Sequence, residues 1–158
     1  MVAGTHEIVI VGAGPAGLCA ASAALRRGLR PLVIERSERI GGLWHRVAPD
    51  LRCLSPRHRD RLVDGSHPLG PGDRASAAEV LAALETFAER EGIEVQLETP
   101  ATSLDPHGAE LVLHTPRGEL RTRRLILACG EYSRPWVPEL PGHFAGAAVH
   151  SSCLQPET

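Results

Sequence analysis

Apolar residues in this chain gather into short runs whose spacing changes along its length. Ile8, Val9, Ile10 and Val11 form one continuous β-branched run ended by glycine, which predicts a buried strand over His6 to Val11. The alanine-rich stretch AGLCAASAALRR then predicts a helix starting near Pro15 and stopping at Gly28, with Arg26 and Arg27 in its last turn, where cations suit the helix dipole. RPLVIE reads as a second buried strand, Pro31 to Glu35. Strand, helix and strand together imply a parallel pair with a right-handed crossover.

From Ile40 to Asp73 the periodicity disappears and proline, glycine, arginine and histidine dominate. Irregular segments of that length inside compact domains usually bind something. Ser76 and Glu79 form a capping-box signature, and Val80, Leu81, Leu84, Phe87 and Ala88 keep helical spacing up to Gly92. Beyond lie IEVQL, AELVLHT and ELRTRRLILA, the last two preceded by DPHG and TPRG, which put proline and glycine at type I turn positions. The three runs read as an antiparallel meander whose last strand becomes fully apolar at LILA, as if its end re-enters the core. From Pro135, the prolines at 138, 141 and 156 make an extended tail. There is no internal repeat and no low-complexity tract.

Composition narrows the function. The chain has 158 residues, enough for one well-buried domain, with 42% hydrophobic and 23% charged residues. Aromatic residues make up only 3% and the formal net charge is -2, which argues against nucleic-acid or anionic-membrane partners and towards small molecules. Cys19, Cys53, Cys129 and Cys153 are irregularly spaced with no C-x-x-C pair, so no metal site is proposed and free thiols in a reducing, cytoplasmic setting are expected. The apolar stretch from Ile8 to Leu25 lacks a basic leader and is broken by Gly12, Gly14, Pro15 and Gly17, so it reads as neither signal nor membrane helix. There is no G-x-S-x-G elbow to support hydrolase chemistry.

The chemistry lies in VIVGAGPAGLCAASAALRRGLRPLVIE. Gly12, Gly14 and Gly17 give G-x-G-x-x-G between a predicted strand and a predicted helix, with Glu35 ending the next strand. Gly12 permits the tight turn, Gly14 lets a pyrophosphate approach the backbone, and Gly17 lets helix and strand pack closely. Pro15 and Ala16 open the helix whose N–H groups and dipole face the pyrophosphate. Glu35 would accept hydrogen bonds from ribose hydroxyls and repel a 2′-phosphate, so the site suits FAD or NAD over NADP. The fingerprint alone does not separate those two.

The segment ERSERIGGLWHR, carrying Glu35, Arg36, Gly42, Leu43 and Trp44, resembles the FAD-binding segment of two-dinucleotide flavoproteins. LILACGEYSRPWVPELPG, with Ala128 and Gly130, is similar to their ATG segment, Cys129 standing in place of threonine. Phe144, Gly146, His150 and Ser151 match the F-x-G-x-x-x-H-S fingerprint of the flavin-containing and Baeyer–Villiger monooxygenases. The resemblance implies an α/β fold: a Rossmann-like FAD-binding domain with a parallel sheet, helices and an antiparallel meander, in three layers (ββα), incomplete relative to the family. It also implies a reaction in which NADPH reduces FAD, O2 adds at flavin C4a, and the peroxyflavin oxygenates a soft nucleophile or a ketone.

On this reading residues 1–141 are the N-terminal part of the FAD domain and 142–158 a linker-like tail, which in the family leads to an NADPH domain. The expected protein is one subunit of a split enzyme, with a second polypeptide supplying that domain and an exposed apolar surface where it docks. The alternatives are a degenerate or truncated piece, an FAD-dependent oxidoreductase without oxygenation, and a non-catalytic dinucleotide-binding or assembly subunit. The catalytic residues and the substrate stay open. Between His45 and Arg61, five arginines against two aspartates give +3 with histidines neutral, enough to guide a phosphate-bearing cofactor. Ser55 and Arg57 lie where relatives bring polar groups near the flavin ring. Cys129 is expected to pack in the core, as is Trp136; Trp44 is expected to pack or to cover the flavin, and His150 to couple domains.

Overall fold

A computed structural model describes residues 5–130, 136–148 and 150. In chain order the elements are β1 (Ile8–Val11), α1 (Pro15–Leu25), β2 (Pro31–Ile34), 3-10 turns at Gly42–His45 and Arg57–Arg59, and α2 (Ala77–Arg90). They continue with β3 (Val95–Gln96), β4 (Ser103–His107), β5 (Glu110–Thr115), β6 (Gly118–Thr122) and β7 (Leu125–Leu127). Residues 136–148 contain no helix or strand, and the fingerprint's Ser151, together with Cys153, lies outside the described residues.

The strands form two sheets: a four-stranded one in the order β3-β2-β1-β7, all parallel, and a three-stranded antiparallel one, β4-β5-β6. Alternation along β1 explains the layering, because its side chains point to opposite faces and both faces are covered. Ile8 and Ile10 pack with Leu18, Val33, Leu84 and Phe87 on the helical side. Val9 and Val11 pack with Ile34 and Leu113 on the side of the meander, where Leu32, Leu120 and Leu125 join them. Helices, parallel sheet and meander are thus the three expected layers.

Two of the expected strands belong elsewhere. IEVQL contributes β3, which pairs in parallel with β2 through Val33↔Val95, not with the meander. The meander starts instead at β4, which runs through the Asp105-Pro106-His107 stretch expected to turn. Pro106 is tolerated because β4 is an outer strand, whose unpaired edge does not need the missing N–H. ELRTRRLILA is two strands in two sheets. Buried Thr122 makes the break, its Oγ1 donating to the Arg124 carbonyl and accepting from the Arg124 N–H, so the chain steps from β6 to β7 and pairs in parallel with β1. Helix α1 ends at Leu25 with Arg26 as its C-cap, slightly before the expected stop.

The capping box at α2 forms as the sequence implies. Ser76 Oγ accepts the Glu79 N–H at 3.2 Å, and Glu79 Oε2 accepts the Ser76 N–H at 2.7 Å. Among the described residues no helix is long and apolar enough to cross a membrane.

Candidate functional site

All four parallel strands deliver their carboxyl ends to one side of the molecule. Gly12 follows β1, Glu35 follows β2, Thr99 lies just beyond β3, and Ala128 to Gly130 follow β7. Open α/β sheets bind ligands at this edge. The β1–α1 turn is shaped by close approach. Gly12 has φ +107° and donates its N–H to the Ile34 carbonyl at 2.8 Å, and a side chain there would run into the Ala128 carbonyl. A side chain at Gly17 would run into the carbonyl oxygen of Gly12, so helix and turn can meet only over glycine.

Gly14 is the N-cap of α1; it offers no side-chain cap, Pro15 stands at the first helical position, and the first turn has no acidic residue. The N-terminal N–H groups and the positive dipole end are therefore left for an external anion. Opposite, the Gly41-Gly42 pair closes the groove. Gly41 donates to the Ala13 carbonyl at 2.8 Å, and a Cβ on Gly42 would lie 3.4 Å from the Gly14 Cα.

Glu35 is buried at 6% exposure and holds both loops: Oε2 accepts the Ala13 N–H at 2.8 Å and Oε1 the Ser37 N–H at 2.9 Å. Each carboxylate oxygen retains a second acceptor position for a ligand hydroxyl.

Three compartments run in a row through this region. The central one, about 380 Å³, is walled by Gly12, Gly14, Pro15, Ala16, Glu35, Arg36, Gly42, Leu43, Trp44, Ala128 and Gly130, with Arg46 added. At one end it shares Gly12, Glu35, Arg36, Leu127 and Cys129 with a second, about 420 Å³, closed by Thr99 to Leu104. At the other end it shares Pro15 and Trp44 with a third, about 270 Å³, lined by Cys53, Leu62, Pro68, Val80 and Leu84, with Ser55, Asp60 and Arg61 as its polar groups. Burial is the main factor raising the Cys53 thiol pKa, so this apolar wall carries a neutral thiol.

Several sequence-chosen residues sit away from the central groove. Ser55 lies in the apolar compartment and donates to Asp60 Oδ1. Arg57 lines none of the three. Its buried guanidinium donates to the carbonyls of Pro68, Pro71, Gly72 and Arg74 and to Glu79 Oε2 at 3.0 Å, clasping the 68–74 loop to the start of α2. With Arg57 so engaged, Arg46 and Arg61 are the arginines of the +3 segment that reach a compartment.

Cys129 corrects the packing expectation: it is exposed and lines two compartments, because β7 ends at Leu127 and carries the next residues out over the sheet edge. Trp136 is likewise exposed, at 75%. Sequence reasoning missed Thr99 to Leu104, and it counted Asp60 only as a charge of the +3 segment. The first would have followed from assigning IEVQL to the parallel sheet, since its carboxyl end must then open on the ligand edge.

The family described as pyridine nucleotide-disulphide oxidoreductase matches residues 9–156. A probable indole-3-pyruvate monooxygenase from Arabidopsis thaliana is 32% identical over 154 residues, covering 93% of this chain and 37% of that protein. A Baeyer–Villiger monooxygenase from Streptomyces coelicolor is 29% identical over 158 residues, covering 93% and 30%. Among solved structures, a flavin-containing monooxygenase from Stenotrophomonas maltophilia superposes with a TM-score of 0.79 at 26% identity, over 87% of this chain and 42% of that one. The chain spans less than half the length of each of these relatives.

Proposed function

Because the chain belongs to the pyridine nucleotide-disulphide oxidoreductase family, we propose that it is the FAD-binding part of a flavin-dependent monooxygenase. Such an enzyme takes electrons from NADPH and transfers one oxygen atom of O2 to a small molecule. The observation that carries this reading is the row of three compartments, with Glu35 and a bare helix N-terminus in the middle and an apolar chamber at one end.

The residues fit the cofactor part by part. Glu35 accepts the adenosine ribose hydroxyls, and the α1 N-terminus and the glycine groove from Gly14 to Gly42 take the pyrophosphate. The segment 99–104 encloses the adenine end, and the chamber beyond Trp44 receives the ring system. FAD, when bound, supplies the redox chemistry; the chain binds it, orients it and shields one end from water.

The reading includes a second polypeptide that brings the NADPH site and completes the enzyme, in a reducing cytoplasm. In support, β7 is paired on one side only among the described residues, its Leu127 is 66% exposed beside the central compartment, and the three described cysteines are unpaired. A small-molecule substrate is expected, with no nucleic acid or membrane partner.

Titrating the chain with FAD while following quenching of flavin fluorescence tests the core of the proposal. Saturable one-to-one binding competed by ADP supports it, and absence of binding by both ligands overturns it. Native mass spectrometry with the product of the adjacent reading frame tests the second polypeptide. Oxygen uptake on adding NADPH to the pair separates an oxygenase from a binding subunit, and product formation against peroxide release separates it from an oxidase.

A further inference from the structure

The apolar chamber contains one polar group that the fold leaves unfinished. Asp60 lies on its wall, in the segment that follows the 3-10 turn Arg57–Arg59, and its N–H is held by the Arg57 carbonyl at 3.2 Å. Ser55 donates its hydroxyl to Oδ1. Oδ2 is shielded from solvent and has no hydrogen-bond partner. Buried carboxylate oxygens are rarely left so, because an unmet acceptor in an apolar setting costs stability.

The other polar side chains of the wall offer no second carboxylate. Ser55 gives its proton to Asp60 and keeps only the neutral lone pairs of a hydroxyl, Cys53 is a neutral thiol, and Arg61 is a donor, its Nε already on the His58 carbonyl. A ligand entering this chamber therefore meets a largely apolar surface with one carboxylate oxygen short of a donor. Turning the carboxyl about its last torsion, which is soft for aspartate, presents an oxygen to the chamber without moving the backbone.

We propose that Asp60 is the hydrogen-bond acceptor that orients the flavin ring, receiving the imide N3–H of the isoalloxazine. This rests on the reading of the chamber as the flavin end of the FAD site. The ring's dimethylbenzene edge is apolar and its pyrimidine edge carries a single N–H donor, so one unpartnered carboxylate oxygen in a largely apolar chamber favours one orientation. The carboxylate also faces the end of the ring that gains negative charge on reduction. Asp60 thus opposes reduction, with the Arg61 guanidinium on the same wall offsetting part of its charge.

Binding of FAD, 3-methyl-FAD and ADP to the 158-residue chain and to its Asp60→Ala and Asp60→Asn variants tests this. Methylating N3 should weaken binding to the wild type on the order of tenfold, as expected for loss of a hydrogen bond to a charged group. The same methyl should cost Asp60→Ala less than twofold, and ADP should bind all three proteins alike. In Asp60→Asn, which keeps the side-chain shape and serves if the alanine variant fails to fold, the methyl penalty should shrink. Its bound FAD should also have a more positive midpoint potential than in the wild type. An equal methyl penalty in wild type and variants, or none in the wild type, overturns the assignment. If ADP binds and FAD binds no tighter, the chamber is not a flavin site and the assignment falls while the dinucleotide edge stands. If neither binds, the functional reading itself has failed.

Discussion

Each oxygen of Glu35 accepts one backbone N–H, from Ala13 and from Ser37, where the loops after β1 and β2 meet. Glutamine at this position can keep only one of those bonds, because its NH2 group would face a donor. Glu35→Gln should therefore lower the unfolding free energy by about 1–3 kcal/mol and weaken FAD binding at least tenfold, measured by denaturant titration and flavin fluorescence. The neighbouring glycines separate folding from binding. At Gly14, φ is -81° and a Cβ would be 3.9 Å from the Gly42 Cα, an ordinary contact. Gly14→Ala should leave thermal unfolding unchanged while its methyl group blocks the pyrophosphate and reduces FAD affinity at least tenfold. At Gly17 the Cβ meets a backbone oxygen that has nowhere to go. Gly17→Ala should destabilise the fold by about 1–3 kcal/mol, despite the better helix propensity of alanine. The tight turn at Gly12 and the close packing at Gly17 were legible in the sequence because glycine spacing reports backbone geometry directly. Arg57 was not: whether an arginine faces a ligand or five protein acceptors depends on a loop path that no local pattern encodes.

Helix α2 carries the same lesson at the scale of an element. Its start was legible, since Ser76 and Glu79 satisfy each other's neighbouring N–H groups within one turn. The sequence did not show that Glu79 also receives the buried Arg57 guanidinium, which ties the helix to the 68–74 loop. The Ser76 N–H first, and then Arg57, hold the Glu79 carboxyl below its ordinary pKa. A carboxyl whose pKa is lower in the folded protein than in the unfolded one contributes stability above its unfolded value, and this is lost as pH falls through the folded value. The wild type should accordingly lose stability on acidification below the ordinary glutamate range. Glu79→Gln should be less stable at neutral pH and show a flatter profile over that window, in melts recorded from neutral to strongly acidic pH. A wild-type profile as flat as the variant's would refute the linkage. The meander misled for a related reason. Asp105-Pro106-His107-Gly108 has turn chemistry, yet its first three residues extend as β4, because an outer strand imposes no demand on the proline nitrogen. Residues 93–97 have the same pattern whether they join a meander or extend a parallel sheet, and only packing against β2 decides.

Across the whole molecule, the ligand edge is built from two kinds of structure. The glycine turn and Glu35 hang from a parallel sheet whose central strand is buried on both faces. The apolar chamber is walled largely by irregular chain, from Cys53 to Pro68, held by side-chain bonds such as those of Arg57 and the Ser55–Asp60 pair. Segments held in this way open at lower free energy than sheet strands, so their backbone amides should exchange with solvent through local fluctuations. A ligand that fills only the compartments proposed for adenine and pyrophosphate stabilises the protein by mass action without bridging this wall. FAD, which on the proposed reading extends past Trp44, should do both. Hydrogen exchange followed by mass spectrometry should therefore show slower exchange over residues 53–62 with saturating FAD and not with saturating ADP, while both ligands slow residues 12–17. Equal protection of 53–62 by the two ligands would mean that the chamber responds to global stability alone, and that the flavin ring lies elsewhere. Protection specific to FAD would locate the ring by an observable independent of turnover, in this chain by itself, before any second polypeptide is added.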